Sequence, residues 1–130
     1  VFNAPRALIR AVGCEFVEMP RNKENSYCCG AGGGQIWMGT PPEGERPAEN
    51  RIREALAALG QAHNGSSGKK LLFVVACPKD VVMYTDAVKT TGNEGRIEVR
   101  DVAQLIAEAM DWGAPPGAAE PVSAAASAPQ

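Results

Sequence analysis

The run Leu71-Leu72-Phe73-Val74-Val75-Ala76, followed at once by Cys77-Pro78, decides the fold. Six apolar residues in a row, rich in β-branched types and bounded by Lys69-Lys70 on one side and Cys-Pro on the other, fit a strand covered on both faces. The run predicts a central parallel strand. Downstream, Pro78 suits the first turn of a helix with Val81, Tyr84, Thr85 and Val88 on one face, and Thr91-Gly92-Asn93 ends it. Arg96 to Val99 reads as a short edge strand. Asp101 then caps a last helix with Val102, Leu105, Ile106, Ala109 and Met110 turned inward.

Upstream, Glu45 to about Ala62 is helical, with Ile52, Ala55, Leu56 and Leu59 on one stripe and Glu49, Arg53 and Glu54 outside it. The Gly/Ser-rich stretch from His63 to Gly68 breaks the pattern, and His63 reads as solvated. Residues 20–44 have almost no periodicity and form a long loop, which in a compact domain signals function or disorder. Before it, Cys14 to Met19 alternates apolar and polar residues up to Pro20, the pattern of a half-buried strand. A first helix opens at Asn3 as N-cap, with Pro5 near its start and Leu8, Ile9 and Val12 on one face, and Gly13 stops it. Strands alternating with helices predict an α/β fold of three layers, a mostly parallel sheet with helices on both faces. Residues 1–112 are the folded part. Residues 113–130, dominated by Ala, Pro, Ser and Gly, read as a flexible tail.

Composition narrows the function. The chain has 130 residues, and 13 Lys plus Arg against 15 Asp plus Glu give a net charge of -2, so no basic excess exists to neutralise a phosphate backbone. Nucleic acid is not an expected partner. No apolar run approaches the roughly 18 residues that span a bilayer, so direct membrane insertion is not expected from this stretch.

Four cysteines remain to be explained, Cys14, Cys28, Cys29 and Cys77. Adjacent cysteines bridge each other only with strain, whereas adjacent thiolates serve well as ligands to one inorganic centre. Soft thiolates favour iron-sulfur clusters, zinc or copper(I). The following run Gly30-Ala31-Gly32-Gly33-Gly34 frees the backbone to wrap a bulky object and to aim N–H groups at negatively charged sulfur. Gly30, Gly32, Gly33 and Gly34 are therefore candidate cofactor-binding positions, and a single zinc ion would not need so much room. Cys77 stands at the C-terminal end of the central strand and the N-terminus of a helix, where partial positive charge stabilises thiolate. The C-terminal ends of parallel strands are where such folds place their sites. Cys28, Cys29 and Cys77 are the candidate metal ligands. Cys14 reads as a small packing residue, and Trp37 and Met38 as core or interface packing. The dinucleotide pattern fails, because Gln35 and Trp37 stand where glycine is required.

Ser26-Tyr27-Cys28-Cys29-Gly30-Ala31-Gly32-Gly33-Gly34 resembles the cysteine-rich CCG domain of the heterodisulfide reductase catalytic subunit family, which includes lactate and glycolate oxidase iron-sulfur subunits. Pro5-Arg6, the Glu15 to Met19 segment, the helix from Glu45, Ala76-Cys77-Pro78 and Asp86-Ala87 fall in the family's order. The family pattern is a lone Cys, Cys-Cys-Gly, then Cys-x-x-Cys. The lone Cys would lie before Val1, so residues 1–112 are expected to be the C-terminal part of such a domain, inactive alone. Asp80 stands where the last thiol belongs. The form Cys77-Pro78-Lys79-Asp80 and the residues to Gly92 are similar to the K-subunit family of the membrane complex linked to dissimilatory sulfite reductase.

This resemblance implies an iron-sulfur oxidoreductase holding a [4Fe-4S] cluster, or a non-cubane relative, and acting on a disulfide or trisulfide. Its implied partners are a membrane cytochrome b-type subunit, other complex subunits and a small sulfur-carrier protein with redox cysteines. The implied location is cytoplasmic, at the membrane through those partners. Lys79 and Tyr84 would supply a proton or electrostatic help, and Asp80 would leave one iron differently coordinated. Arg6, Arg21 and Lys23 would steer an acidic partner. The alternatives are a lactate- or glycolate-oxidising or flavoprotein-linked relative, and a structural zinc module using Cys28, Cys29, Cys77 and Asp80.

Overall fold

The computed structural model describes residues 2–38, 44–62 and 70–110. The expected tail, 113–130, and His63 lie outside the described residues. Helix α1 spans Asn3–Ala11, α2 Pro47–Ala62, α3 Pro78–Thr90 and α4 Val102–Ala109, and strands β1 and β2 span Leu71–Val75 and Ile97–Asp101. Two short 3-10 turns, Lys23–Asn25 and Gly32–Trp37, punctuate the long loop.

The predicted apolar run forms β1. It pairs in parallel with β2, in register from Leu71 opposite Ile97 to Val75 opposite Asp101, and α3 makes the crossover that parallel strands require. The result is an α/β fold, a small parallel sheet flanked by helices. Both strands end at the same edge, where Cys77 caps α3 and Asp101 caps α4. The Asp101 carboxylate accepts the Ala103 N–H at 2.8 Å, as its position predicts.

The core gathers Ile52 and Ala55 of α2, Phe73 and Val75 of β1, Tyr84, Ala87 and Val88 of α3, and Ile97 of β2. Phe73 and Tyr84 meet edge to face, with ring centroids 4.9 Å apart. Alanines at 48, 55 and 87 let α2 and α3 approach closely. Their outer ends are tied by Arg46, which donates to Glu49 (2.8 Å), Asp86 (2.7 Å) and Thr90 (2.8 Å).

Several expectations are corrected. Residues 14–19 form no strand: they run extended outside the sheet, and the Phe16 ring is covered by the Arg6 and Arg10 guanidiniums at 6.0 and 4.5 Å. β1 is central in burial, yet among the described residues it has one strand partner, β2. Phe2, not Asn3, caps α1. Thr85, Ala109 and Met110 face outward, because the inner stripe of α3 runs through Tyr84, Ala87 and Val88 and α4 ends at Ala109. Trp37 and Met38 are not core residues; the Trp37 side chain is 87% exposed at the tip of the glycine turn.

Candidate functional site

The tandem-cysteine loop is anchored in the core. Cys29 is 3% exposed and Ala31 is fully buried, whereas Cys28 faces outward. Gly30 makes this turn feasible. Its φ of +85° is the left-handed region, and a Cβ there would stand 3.0 Å from Cγ of Pro47, the first residue of α2. Glycine at position 30 therefore lets the loop lie against the start of α2 without displacing Pro47.

With the backbone so held, two amides turn toward sulfur. The Gly30 N–H donates to Cys28 Sγ at 3.5 Å, and the Ala31 backbone amide lies near enough to Cys29 to draw its thiol down. Backbone amides so placed could balance charge on the sulfurs were they thiolates.

The same loop reaches α3. The Cys29 thiol lies beside Asp80 in the first turn of α3, whose N-cap is Cys77. Burial, and then the neighbouring Asp80 carboxylate, push the Cys29 thiol up to about 12, against the pull of the Ala31 N–H. A thiol held this way becomes thiolate when a cation takes the place of its proton. Pro78 at the first helical position leaves the Cys77 cap extended, φ -130° and ψ 129°, at the positive end of the helix.

Asp80 lies close enough to Cys29 to act on its thiol, and Cys28 and Cys77 are their near neighbours in the chain. Tyr84, one turn beyond Asp80, is buried, and burial followed by the charges of Asp80 and Cys29 pushes its phenol well above the usual range. It stays a neutral hydroxyl, suited to hold a hydrogen bond and not to release its proton. Lys79 is exposed on the outer side of the same turn. Gly32, Gly33 and Gly34 border open space, and a Cβ at any of the three would meet no atom within 4 Å. Among the described residues no three His, Cys, Asp or Glu side chains close on a common point small enough for a metal ion, so the four-residue zinc arrangement is not preformed. The donor chemistry, soft thiols backed by N–H groups beside open space, fits a larger thiolate-ligated cluster.

Two expected steering cations are already paired. Arg6 donates to Glu18 at 2.6 and 2.8 Å, and Arg21 donates to Glu54 at 2.9 Å; Lys23 is exposed. Cys14 is half-buried and lines a cavity of about 660 Å³ between α1, the extended segment 14–19 and β1, a cavity that none of the other three cysteines borders. Sequence reasoning missed Arg51, which is 8% exposed on α2. Its signal was a charge sitting on the helical stripe formed by Ala48, Ile52 and Ala55.

Residues 2–64 match the family described as the CCG cysteine-rich domain. The chain is similar to a probable iron-sulfur-binding oxidoreductase, FadF, of Bacillus subtilis, 33% identical over 111 residues, which are 85% of this chain and 14% of that protein. It is 30% identical over 111 residues, 85% of the chain and 15% of the relative, to the EtfAB:quinone oxidoreductase of Syntrophomonas wolfei. It is 35% identical over 114 residues, 85% of the chain and 24% of the relative, to the D subunit of the dihydromethanophenazine:CoB–CoM heterodisulfide reductase of Methanosarcina barkeri. The chain thus spans 14% to 24% of the length of these relatives. A stretch covering 85% of the chain necessarily includes Cys28, Cys29 and Cys77. No solved structure is matched. Over residues 2–64 the chain thus matches the cysteine-rich domain of the CCG type, and over 85% of its length it is similar to a heterodisulfide reductase subunit and to proteins named as iron-sulfur oxidoreductases.

Proposed function

We propose that this chain is the thiolate site of an iron-sulfur oxidoreductase, with Cys28, Cys29 and Cys77 as ligands of a [4Fe-4S] cluster or a non-cubane relative. The observation that carries this reading is the proximity of Cys29 to Asp80, which sets the tandem-cysteine loop beside the helix turn that Cys77 caps. Gly30 and Ala31 would balance sulfur charge through their N–H groups, and Gly32, Gly33 and Gly34 would leave room for the cluster. Asp80, a harder and weaker donor to iron than thiolate, would leave one position exchangeable.

The substrate class this suits is a disulfide, whose reductive cleavage takes two electrons and two protons and yields two thiols, or a trisulfide, one S–S bond of which the same two electrons and two protons cleave to a thiol and a persulfide. The cluster, when bound, would supply the electrons singly. Tyr84 would hold a hydrogen bond within the site, and exposed Lys79 would bring a proton to its rim. The whole protein's partners on this reading are a membrane cytochrome b-type subunit, further complex subunits and a small sulfur carrier, in the lineage of the K subunits linked to dissimilatory sulfite reductase. The chain would then work at the cytoplasmic face of the membrane through its partners; no helix among the described residues is long and apolar enough to cross it. A second reading, electron transfer from a flavoprotein to quinone, is favoured by the relative named EtfAB:quinone oxidoreductase.

Anaerobic reconstitution of the chain with iron and sulfide tests the shared core of both readings. The expected product is brown, holds iron and sulfide in equal amounts and bleaches on reduction, and Cys28→Ser, Cys29→Ser and Cys77→Ser each lower iron uptake. A colourless protein that takes up zinc and rejects iron would contradict the proposal. Reoxidation of the reduced protein by an organic disulfide supports the first substrate class, and reduction by an electron-transfer flavoprotein supports the second.

A further inference from the structure

Two arginines converge on one carboxylate beside the tandem-cysteine loop. Arg21 donates to Glu54 from its backbone N–H (3.1 Å), Nε (3.1 Å) and Nη2 (2.9 Å), and Arg51 donates to the same carboxylate at 2.7 Å. Two guanidiniums on one carboxylate leave a net positive charge. Arg21 is fixed further by Asn50, at 2.5 Å, and its guanidinium lies over the Tyr27 ring at 3.7 Å. Tyr27 immediately precedes Cys28. Arg51 is the only charged residue buried among the described ones, and Tyr84 feels its charge along with those of Asp80, Cys29 and Cys28. The excess charge therefore approaches the sulfurs twice, through the stacked Tyr27 and through the core beside Tyr84.

We propose that Arg21, Glu54 and Arg51 form a positioning cluster that clamps the tandem-cysteine loop to α2 and holds positive charge against the anionic sulfur site. The clamp follows from geometry. Glu54 is on α2, Arg21 stands at the start of the loop, and the stack on Tyr27 fixes the residue from which both cysteines follow. The charge role rests on the cluster-binding reading above. Positive charge near a redox centre favours its reduced, more negative state and raises its potential.

The test separates the two parts. In the chain without iron, Arg21→Met should speed amide hydrogen exchange at Gly30 and Ala31 by about tenfold while β1 amides keep wild-type protection, the signature of local and not global opening. In the reconstituted protein, Arg21→Met and Arg51→Met each remove a positive charge and should lower the cluster's midpoint potential, whereas Glu54→Gln removes the negative one and should raise it. Loosening of the loop alone would move all three variants in the same direction. Should Arg51→Met fail to fold, Arg21→Met, altered at a partly exposed side chain, carries the same change of charge. Unchanged exchange at Gly30 and Ala31 in Arg21→Met overturns the clamp, and shifts of one common sign overturn the charge role. Failure of the wild-type chain to take up iron overturns the cluster-binding reading and with it the charge role, while the exchange result still decides the clamp.

Discussion

Replacing Gly30 by alanine adds one methyl group to the tightest approach in the site, and Gly34 supplies its control. The two glycines share almost the same backbone angle, φ +85° and +84°, so the left-handed strain of an L-residue, about 1 kcal/mol, is common to both. They differ in surroundings. At position 30 the new Cβ meets Cγ, Cβ and Cδ of Pro47 at 3.0, 3.2 and 3.4 Å, and at position 34 it meets nothing within 4 Å. A proline ring opening a helix cannot swing aside as a flexible side chain would, so the first turn of α2 or the loop must shift. Overpacking of this kind costs about 1–2 kcal/mol beyond the shared strain. For a domain of this size that extra cost lowers the melting temperature by roughly 4–8 °C per kcal/mol. Urea titration of Gly30→Ala and Gly34→Ala at neutral pH measures the difference directly. Gly30→Ala combined with Pro47→Ala should recover most of it, as expected for two groups in contact. Equal losses in the two alanine variants, or no recovery in the double variant, would refute the claim that Gly30 lets the loop seat on α2 without displacing Pro47.

Ile52 is fully buried between α2 and the sheet, and Ile52→Ala should lower unfolding free energy by about 3 kcal/mol in denaturant titration; a loss under about 1 kcal/mol would show that the core lies elsewhere. Burial alone would raise the Glu49 carboxyl, but bonds from Thr90 and Arg46 outweigh it and hold the group below its ordinary 4.5. A carboxyl depressed by folding stabilises above its unfolded value, and the contribution disappears as pH falls through the folded one. The stability difference between wild type and Glu49→Gln should therefore be largest near neutrality and shrink below pH 4.5. A difference independent of pH would contradict that pairing.

Much of this architecture was legible because its signals are local. β1 announced itself by apolar side chains on both faces, α3 by Cys77-Pro78, and the start of α4 by a capping aspartate whose carboxylate does accept an amide. Residues 14–19 show the limit of such reading. Alternation is necessary for a half-buried strand, but a strand also needs a paired edge, and Phe16 instead finds cover beneath two arginines. Arg51 was illegible for another reason. A charge on an apolar stripe is ordinarily assigned to solvent, and only the carboxylate one turn on, Glu54, allows it to stay inside. The thiols were legible as residues, and the glycine run as their backbone support. Their placement beside the first turn of α3 was not, because no spacing in the sequence encodes the proximity of Cys29 to Asp80; it arises from tertiary packing that sets the loop against Pro47 of α2 and beside α3.

Iron anomalous diffraction from crystals of the reconstituted chain tests most directly whether two distant stretches of the polypeptide share one centre. The predicted result is a single iron density bordered by the sulfur atoms of Cys28, Cys29 and Cys77, with Asp80 beside it. Iron held by Cys28 and Cys29 alone, with the Cys77 sulfur turned away from it, would contradict the shared centre.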